Sequence, residues 1–312
     1  MTPTHTERYR LVTRSDFDGL VCAALLKYLG ILDDILFVHP KDVQDGKVDI
    51  GPNDVTTNLP YNANAAISFD HHSSEATRVG GPRDNHVIVP DAQSAARVVY
   101  DYYGGEETFP GITELMDAVD KGDAAQFTLD EILHPTGWVM LNFLMDPRTG
   151  LGRFREFEIS NYQLMMQLID VIVAMSIDEV FENPHVAERV ALYNAHAEAA
   201  EEQIRRCATV HGNLVVLDLR DEEVIHPTNR FTLYALFGQC NISIHVLWGL
   251  RQQNTVFATG KSILDRSSKT NVGELMLQYG GGGHEAAGTC QVDNEDAERV
   301  QAELIAKINA DG

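Results

Sequence analysis

The segment 9–29 of the 312-residue chain reads YRLVTRSDFDGLVCAALLKYL, and its pattern indicates the fold class. A short apolar run from Tyr9 to Val12 leads into a polar turn, and apolar residues with helical spacing follow from Leu20 to Leu29. A strand, a turn and a helix in this order are typical of the start of a parallel α/β layer. We therefore predict an α/β domain built on a parallel sheet.

The following part of the chain alternates strand and helix patterns. Short apolar runs predict the strands Ile35–Val38, Val48–Ile50, Ala65–Phe69 and His86–Val89, and helical spacing predicts the helices Ser94–Tyr103 and Ile112–Asp120. A doubly wound sheet accommodates this order, and ligands of such sheets bind outside the carboxyl ends of the strands. The functional site is expected at that edge.

The C-terminal part of the chain indicates a second domain. A helical stretch follows Asn161, breaks at Pro184 and resumes with an apolar stripe that ends at Ile204. Regular patterns return after it, in the order Asn213–Leu219, Ile242–Trp248 and Thr255–Gly260 as strands and Val272–Tyr279 as a helix. We expect a first domain over residues 1–185, a connecting helix over 186–209 and a smaller α/β domain over 210–312.

Charge and composition narrow the classes of partner. With 24 basic and 46 acidic residues the chain has a formal net charge of -22, which makes long duplex nucleic acid an unfavourable partner. No stretch reads as a membrane span, and the four cysteines form no CxxC pair, as expected in a reducing cytoplasm. A homodimer is compatible with the sequence.

Two acid-rich or histidine-rich turns follow predicted strands. Asp16 and Asp18 are two residues apart, so that both carboxylates point to one side of an extended backbone and each can hold a metal ion. Acids that complement a helix dipole are the alternative for this pair. Asp70, His71 and His72 end another predicted strand, and a mixed set of carboxylates and imidazoles suits Mn²⁺ or a similar ion. A solvated turn is the alternative there.

A third motif is the run Gly280–Gly283 followed by His284. Consecutive glycines let the backbone approach a ligand closely and let several N–H groups converge on an anion. His284 can donate to a phosphate oxygen. A flexible loop is the alternative, although patterns of regular structure flank the run. The motif indicates an anion-binding loop in the second domain.

Together and in this order, the three motifs resemble those of the DHH phosphoesterase superfamily with a C-terminal DHHA1 domain. The resemblance covers nearly the whole chain. Val48–Gly51 is similar to the family's second motif, and Val119–Asp123 is similar to its fourth. Lys261 and the segment Asp265–Ser268 resemble the strand and turn that precede the glycine loop. Among the branches, the exopolyphosphatase-like branch is the most similar.

The resemblance implies a two-metal site in a metal-binding catalytic domain and a phosphate site in a DHHA1 domain. The implied ions are Mn²⁺, with Mg²⁺ as the alternative, and the implied ligands are Asp16, Asp18, Asp49, His71 and Asp120. The implied catalytic residues are Asp49, His71 and His72. Asp49 would bridge the ions, and His72 would sit just behind them, orienting ligands or touching the phosphate. Asp123 is the alternative to Asp120. The implied substrate-binding residues are Arg266, Gly281, Gly282, Gly283 and His284.

One position departs from the family pattern. The family commonly has a histidine just before the first aspartate, where this chain has Val12, Thr13 and Arg14. An arginine cannot replace an imidazole as a ligand, and it adds positive charge beside the ion. We therefore expect the ion at Asp16 to bind more weakly than the other one, and Arg14 can contact phosphate instead.

The resemblance implies a metal-dependent phosphoesterase that hydrolyses a phosphodiester or phosphoanhydride bond. Its substrate is expected to be a small phosphorylated molecule such as a short oligonucleotide, a cyclic dinucleotide or a polyphosphate. Two alternatives remain open, namely a phosphomonoesterase acting on nucleoside bisphosphates and a non-catalytic protein that binds a nucleotide or polyphosphate. Metal-dependent hydrolysis of an aryl phosphodiester separates an enzyme from a binding protein.

Overall fold

The structure is a computed structural model that describes residues 8–312, and the chain divides into two compact units. The first unit comprises the described residues up to Phe127 together with Pro135–Leu192. The second comprises Thr128–His134 and Tyr193–Gly312. The division falls inside one helix, whereas the sequence analysis puts the domain boundaries at the two ends of a predicted helix.

Strands and helices alternate up to the division. In chain order they are β1 (Tyr9–Arg14), α1 (Phe17–Tyr28), β2 (Leu32–Val38), α2 (Pro40–Gln44), β3 (Asp54–Thr57), β4 (Ile67–Asp70), α3 (Ser73–Val79), β5 (His86–Ile88), α4 (Ala95–Tyr102), α5 (Thr113–Asp123), α6 (Leu129–Leu133), α7 (Gly137–Met145), α8 (Asn161–Val171), α9 (Ile177–Phe181) and α10 (Pro184–Cys207). Of these, α6 belongs to the second unit and α10 crosses the division.

The sheet of the first unit is parallel throughout, with the strand order β2-β1-β3-β4-β5. Leu11 and Val12 of β1 are fully buried, as expected for the central strand of a covered parallel sheet. The chain leaves β1 toward β2 on one side and places β3 on the other, so the order reverses next to β1. Ligands of such sheets bind at this reversal, beyond the carboxyl ends of the strands.

The third strand is not where the sequence predicts it. The strand is Asp54–Thr57, and the segment Val48–Ile50 packs against buried Val12 without joining the sheet. Pro52 follows that segment closely and has no N–H to donate to a strand ladder. The true strand is polar and therefore looks unlike a buried one, but Oγ1 of Thr57 donates to Oγ1 of Thr13 at 2.7 Å. The prediction of a strand at Val48–Ile50 is wrong.

The second unit is built on a mixed sheet. Its further elements are β6 (Ala208–His211), β7 (Leu214–Asp218), α11 (Thr232–Leu236), β8 (Ile242–Trp248), β9 (Thr255–Lys261), α12 (Val272–Leu277), β10 (Gly282–His284), β11 (Ala287–Val292) and α13 (Ala297–Asp311). The strand order is β10-β11-β9-β8-β7-β6, and β7 and β8 are the parallel neighbours. Ile244, Phe257 and Leu304 lie in its core. The amide of Asn229 donates to the carbonyl of Ile132 at 2.9 Å and holds α6 in this unit.

The predicted fold class is confirmed: the protein is α/β, with a parallel sheet in its N-terminal part and a second α/β layer in its C-terminal part. Within residues 8–312, the helices are all too short or too polar to cross a bilayer.

Candidate metal centre

The turn after β1 places two aspartates in different roles. Asp16 is the N-cap of α1, and its Oδ1 accepts a hydrogen bond from the N–H of Gly19 at 3.0 Å. A Cβ on Gly19 would lie 1.9 Å from the carbonyl oxygen of Arg14, so the tight turn requires glycine. Asp16 therefore has the helix-capping role that the sequence left open. Only Oδ1 caps the helix, so Oδ2 can make another contact.

Asp18 is anchored at the start of another helix. Its two carboxylate oxygens accept from the N–H groups of Ala95 at 3.1 Å and Ala96 at 2.7 Å, at the N-terminus of α4. The side chain is buried. These amides leave lone pairs on both carboxylate oxygens, so Asp18 can still hold a cation in a fixed position.

The turn after β4 orients two imidazoles. Oδ1 of the buried Asp70 accepts from the N–H of His71 at 2.9 Å and lies 2.7 Å from Nδ1 of His72. A carboxylate accepts only, so Nδ1 of His72 carries a proton. On His71, Nδ1 lies 3.1 Å from the carbonyl of Ala92 and must donate to it. Nε2 of His71 is then the nitrogen that can offer a lone pair to a metal ion.

His71 faces a carboxylate from a third element. Its Nε2 lies 2.9 Å from Oδ2 of Asp123, the last residue of α5. The buried Nε2 nevertheless makes no hydrogen bond of acceptable angle with the described residues. Ligand atoms of Asp18, His71 and Asp123 lie within 4.8 Å of one another. One imidazole nitrogen and two carboxylates are a donor set for a divalent cation, so these residues fit the implied metal.

The charges in this group are strongly coupled. Burial, followed by the negative charge of Asp123, raises the pKa of Asp18 to about 8. Burial alone would lower the pKa of His71, but the adjacent carboxylate of Asp123 outweighs it and raises that pKa to about 9. One buried and one half-buried carboxylate thus lie around one imidazole. A divalent cation would neutralise both, which is the arrangement that a metal site requires.

The fourth-motif ligand predicted from the sequence is engaged elsewhere. Oδ1 of Asp120 accepts from Oγ of Ser94 at 2.7 Å, and Oδ2 accepts from Nε of Arg97 at 2.8 Å. These contacts hold α5 against the start of α4. Asp123, one turn further along α5, is the residue that faces His71. The geometry therefore favours the alternative, Asp123, over Asp120.

Asp49, the predicted ligand from the second motif, lies away from the other predicted ligands. Asp49 is exposed, and its carbonyl accepts from Nη2 of Arg10 at 2.8 Å. Arg10 lies at the amino end of β1, about 13 Å of strand away from Arg14 at the carboxyl end. This position contradicts the expectation that Asp49 lies beside Asp16 and bridges two ions.

Asn58 takes the place at the site that Asp49 was expected to fill. It follows β3 directly and is buried, and its amide nitrogen lies 3.4 Å from Oδ1 of Asp16. Its own Oδ1 is buried and makes no hydrogen bond within the described part of the chain. Asn58 was not predicted as a site residue from the sequence, although a polar residue directly after a strand is a signal once β3 is correctly located.

Arg14 lies directly beside the first aspartate. Its Nε is 2.8 Å from Oδ2 of Asp16, and its side chain is 32% exposed. Burial raises the pKa of Asp16, and the charge of Arg14 opposes this shift. The first aspartate of the motif thus has an internal cation as its partner.

The glycine motif of the second unit is part of a strand pair. Gly282–His284 forms β10, antiparallel to β11. A Cβ on Gly281 would lie 2.2 Å from the carbonyl oxygen of Thr289, and one on Gly283 would lie 2.3 Å from that of Ala287. A Cβ on Gly282 would meet nothing within 4 Å. Close packing therefore explains two of these glycines without any ligand.

Other side chains expected to bind phosphate lie near the surface of this unit. Arg266 and His284 are exposed. Lys261, at the end of β9, is mostly buried and lies 3.3 Å from Glu285. The exposed positions of Arg266 and His284 suit contact with an anionic ligand from solvent.

The first unit thus has a carboxylate and imidazole cluster beyond the carboxyl ends of a parallel sheet, and the second unit has a glycine-rich strand pair. Comparison with known proteins shows the class of enzyme to which these features belong. The pGpG-specific phosphodiesterase PggH from Vibrio cholerae is 62% identical, and its structure superposes with a TM-score of 0.84 over 98% of this chain and 100% of that chain. This chain belongs to the DHH phosphoesterase family.

Two other solved structures are more distant. RecJ from Thermus thermophilus in complex with Mn²⁺ has 15% identity and a TM-score of 0.49, over 97% of this chain and 52% of that chain. CDC45 from Entamoeba histolytica has 10% identity and a TM-score of 0.49, over 96% of this chain and 95% of that chain. Such scores support no functional conclusion. No family model matches the chain, and none of the curated proteins does. The phosphoesterase expected from the sequence motifs is confirmed by the likeness to PggH.

Proposed function

We propose that this enzyme hydrolyses the phosphodiester bond of a linear 5′-phosphorylated dinucleotide, with pGpG as its substrate. The observation that carries the proposal is 62% identity to a pGpG-specific phosphodiesterase over essentially the full length of both chains. Water adds to the bridging phosphorus, the bond to the 3′ oxygen breaks, and that oxygen takes up a proton, so that pGpG yields two molecules of GMP.

The cation of the site is proposed to be Mn²⁺, held by Asp18, His71 and Asp123. An imidazole ligand favours Mn²⁺ over Mg²⁺, which prefers oxygen ligands alone. A divalent ion supplies Lewis acidity, which polarises a phosphoryl oxygen and lowers the pKa of bound water. The protein contributes by fixing its ligands, because the carbonyl of Ala92 and the amides at the start of α4 hold them in place.

The remaining motif residues are proposed to bind and orient the substrate. His72, whose ring is held through Nδ1 by Asp70, would present its other nitrogen to a phosphate oxygen. Arg266, Gly282 and His284 of the second unit would bind the terminal 5′ phosphate. The net charge of -22 disfavours long nucleic acids. A bound divalent ion would still attract a small phosphorylated substrate to the site.

The test is a product assay on the purified full-length protein with Mn²⁺. The substrates are pGpG, pApA, cyclic di-GMP, inorganic polyphosphate and adenosine 3′,5′-bisphosphate. We expect GMP as the product of pGpG and a much lower kcat/KM for the others. Preferred hydrolysis of polyphosphate or of the bisphosphate would overturn the proposal, and binding of pGpG without turnover would indicate a sensor. The predicted cytoplasmic location and homodimer stay predictions.

A further inference from the structure

The two oxygens of Asp16 already face hydrogen-bond donors. Oδ2 lies 2.8 Å from Nε of Arg14, whose guanidinium is positively charged. Oδ1 accepts from the N–H of Gly19 at 3.0 Å and faces the amide nitrogen of Asn58 at 3.4 Å. The carboxylate is therefore neutralised by a neighbouring side chain, as it would otherwise be by a metal ion.

A second ion beside Asp16 would lack ligands. Within residues 8–312, the clusters able to hold an ion are Asp18-His71-Asp123 and Asp70-His71-His72, and Asp16 belongs to neither. The two clusters share His71, whose Nδ1 donates to a backbone carbonyl, so that only Nε2 remains to bind one ion. Asn58 offers at most one neutral amide oxygen beside Asp16. These side chains support one ion rather than two.

The guanidinium of Arg14 can replace the charge of a second ion. Because Asp16 engages Nε, both Nη groups remain to donate, and a guanidinium fork matches the geometry of a phosphate. The partial exposure of the side chain gives a ligand access to it. Arg14 is anchored on Asp16, and Asp16 lies two residues before Asp18 of the ion-binding cluster, so Arg14 is held at the same turn as that cluster.

We infer that this enzyme works with a single divalent ion at Asp18, His71 and Asp123, and that Arg14, anchored on Asp16, is a catalytic residue that binds the scissile phosphate in place of a second ion. The phosphate contact rests on the proposed phosphodiester hydrolysis. The number of ions does not, since it follows from the ligand set alone.

The ion count is tested by titrating the ion-free full-length protein with Mn²⁺ in a calorimeter and by its electron paramagnetic resonance spectrum. We expect one equivalent of Mn²⁺ per chain and the hyperfine-split signal of an isolated ion. Two equivalents of comparable affinity, with the broadened spectrum of an exchange-coupled pair, would overturn the inference. This measurement needs no substrate, so it stands even if pGpG is not the substrate.

The role of Arg14 is tested with Arg14→Gln and Arg14→Lys. Arg14→Gln should keep one equivalent of Mn²⁺ and lose about 100-fold or more in kcat/KM for pGpG, the usual cost of removing one charged donor from a transition state. Arg14→Lys should recover part of that loss, because it restores the charge without the fork. A merely structural role predicts instead that turnover and thermal stability fall together and that Lys restores neither. An Arg14→Gln enzyme with unchanged kcat/KM would also refute the assignment.

A gain-of-ligand variant provides the converse test. Asn58→Asp combined with Arg14→Gln removes the internal cation and supplies a second carboxylate beside Asp16. We expect this double variant to bind a second Mn²⁺ equivalent that the unmodified protein does not bind. If it still binds one, with the protein folded as judged by circular dichroism, Arg14 does not stand in for an ion.

Discussion

Nε2 of His71 lies 2.9 Å from Oδ2 of Asp123, which brings the end of α5 to the turn that follows β4. The two residues are far apart in sequence and come from different elements, since His71 follows β4 and Asp123 is the last residue of α5. The contact favours Asp123 over Asp120 as the aspartate of α5 at the candidate metal centre. The candidate cluster therefore depends on tertiary packing rather than on one local motif.

The two aspartates of α5 should therefore behave differently when changed. Asp123→Asn should abolish Mn²⁺ binding and activity, because it removes one of the two anionic ligands. Asp120→Asn should keep the ion but lower the free energy of unfolding by about 1–2 kcal/mol, since it weakens a partly buried charged hydrogen bond to Arg97. Calorimetric Mn²⁺ titration and urea unfolding measure the two effects. Reversal of this pattern would restore Asp120 as the ligand.

Manganese should stabilise the protein through the same cluster. At a free Mn²⁺ concentration of about 100 times Kd, binding adds about 2.7 kcal/mol to the free energy of unfolding. Asp18→Asn should remove most of this gain. Asp49→Asn is the matched control and should retain it, because Asp49 is exposed and lies at the opposite edge of the sheet. Thermal unfolding with and without Mn²⁺ is the measurement, and loss of the gain in Asp49→Asn would return Asp49 to the site.

Manganese affinity should rise with pH. A metal ligand must be deprotonated, and in the ion-free protein the pKa values of Asp18 and His71 are raised to about 8 and about 9. Near neutral pH the ion must therefore displace protons, so its apparent affinity increases as the pH approaches these pKa values and levels off above them. Titrations in two buffers with different ionisation enthalpies count the released protons. An affinity independent of pH between about pH 6 and about pH 8 would contradict the ligand assignment.

The glycine motif can be separated into packing and binding contributions. Gly281→Ala should destabilise the fold by about 1–3 kcal/mol, because its Cβ would meet a backbone oxygen of β11. The Cβ added by Gly282→Ala would meet open space, so this variant should fold normally. If the strand pair binds phosphate, Gly282→Ala raises KM for pGpG while Mn²⁺ affinity and thermal stability stay unchanged. An unchanged KM would assign the motif to packing alone.

Local motifs were readable from the sequence. The turn that contains Asp16 and Asp18, and the turn that contains His71 and His72, each follow an apolar strand, and the glycine that the first turn requires is part of the pattern. The parallel sheet followed from the same alternation. Because these features depend on neighbours within a few residues, one sequence suffices to locate them.

Features that depend on packing were not readable. β3 is polar because its threonine hydroxyls find hydrogen-bond partners on neighbouring strands, so its place and the role of Asn58 after it were hidden. Asp120 and Asp123 lie one helical turn apart, and what separates them is the contact of Asp120 with Ser94 and Arg97 at the start of α4. Sequence alone also does not distinguish a glycine that makes room for a ligand from one that packs against a neighbouring strand.

The carboxylate of Asp18 accepts hydrogen bonds from the first two backbone N–H groups of α4. The same carboxylate belongs to the ion-binding cluster. Ion binding and the opening of the first turn of α4 are therefore thermodynamically linked, because the ion and the two N–H groups contact the same two carboxylate oxygens. An ion that fixes this carboxylate also fixes the turn, and the hydrogen exchange of the Ala95 and Ala96 amides should slow when manganese binds. Hydrogen exchange at the start of α4 should therefore report whether the ion is bound, and the measurement needs no substrate.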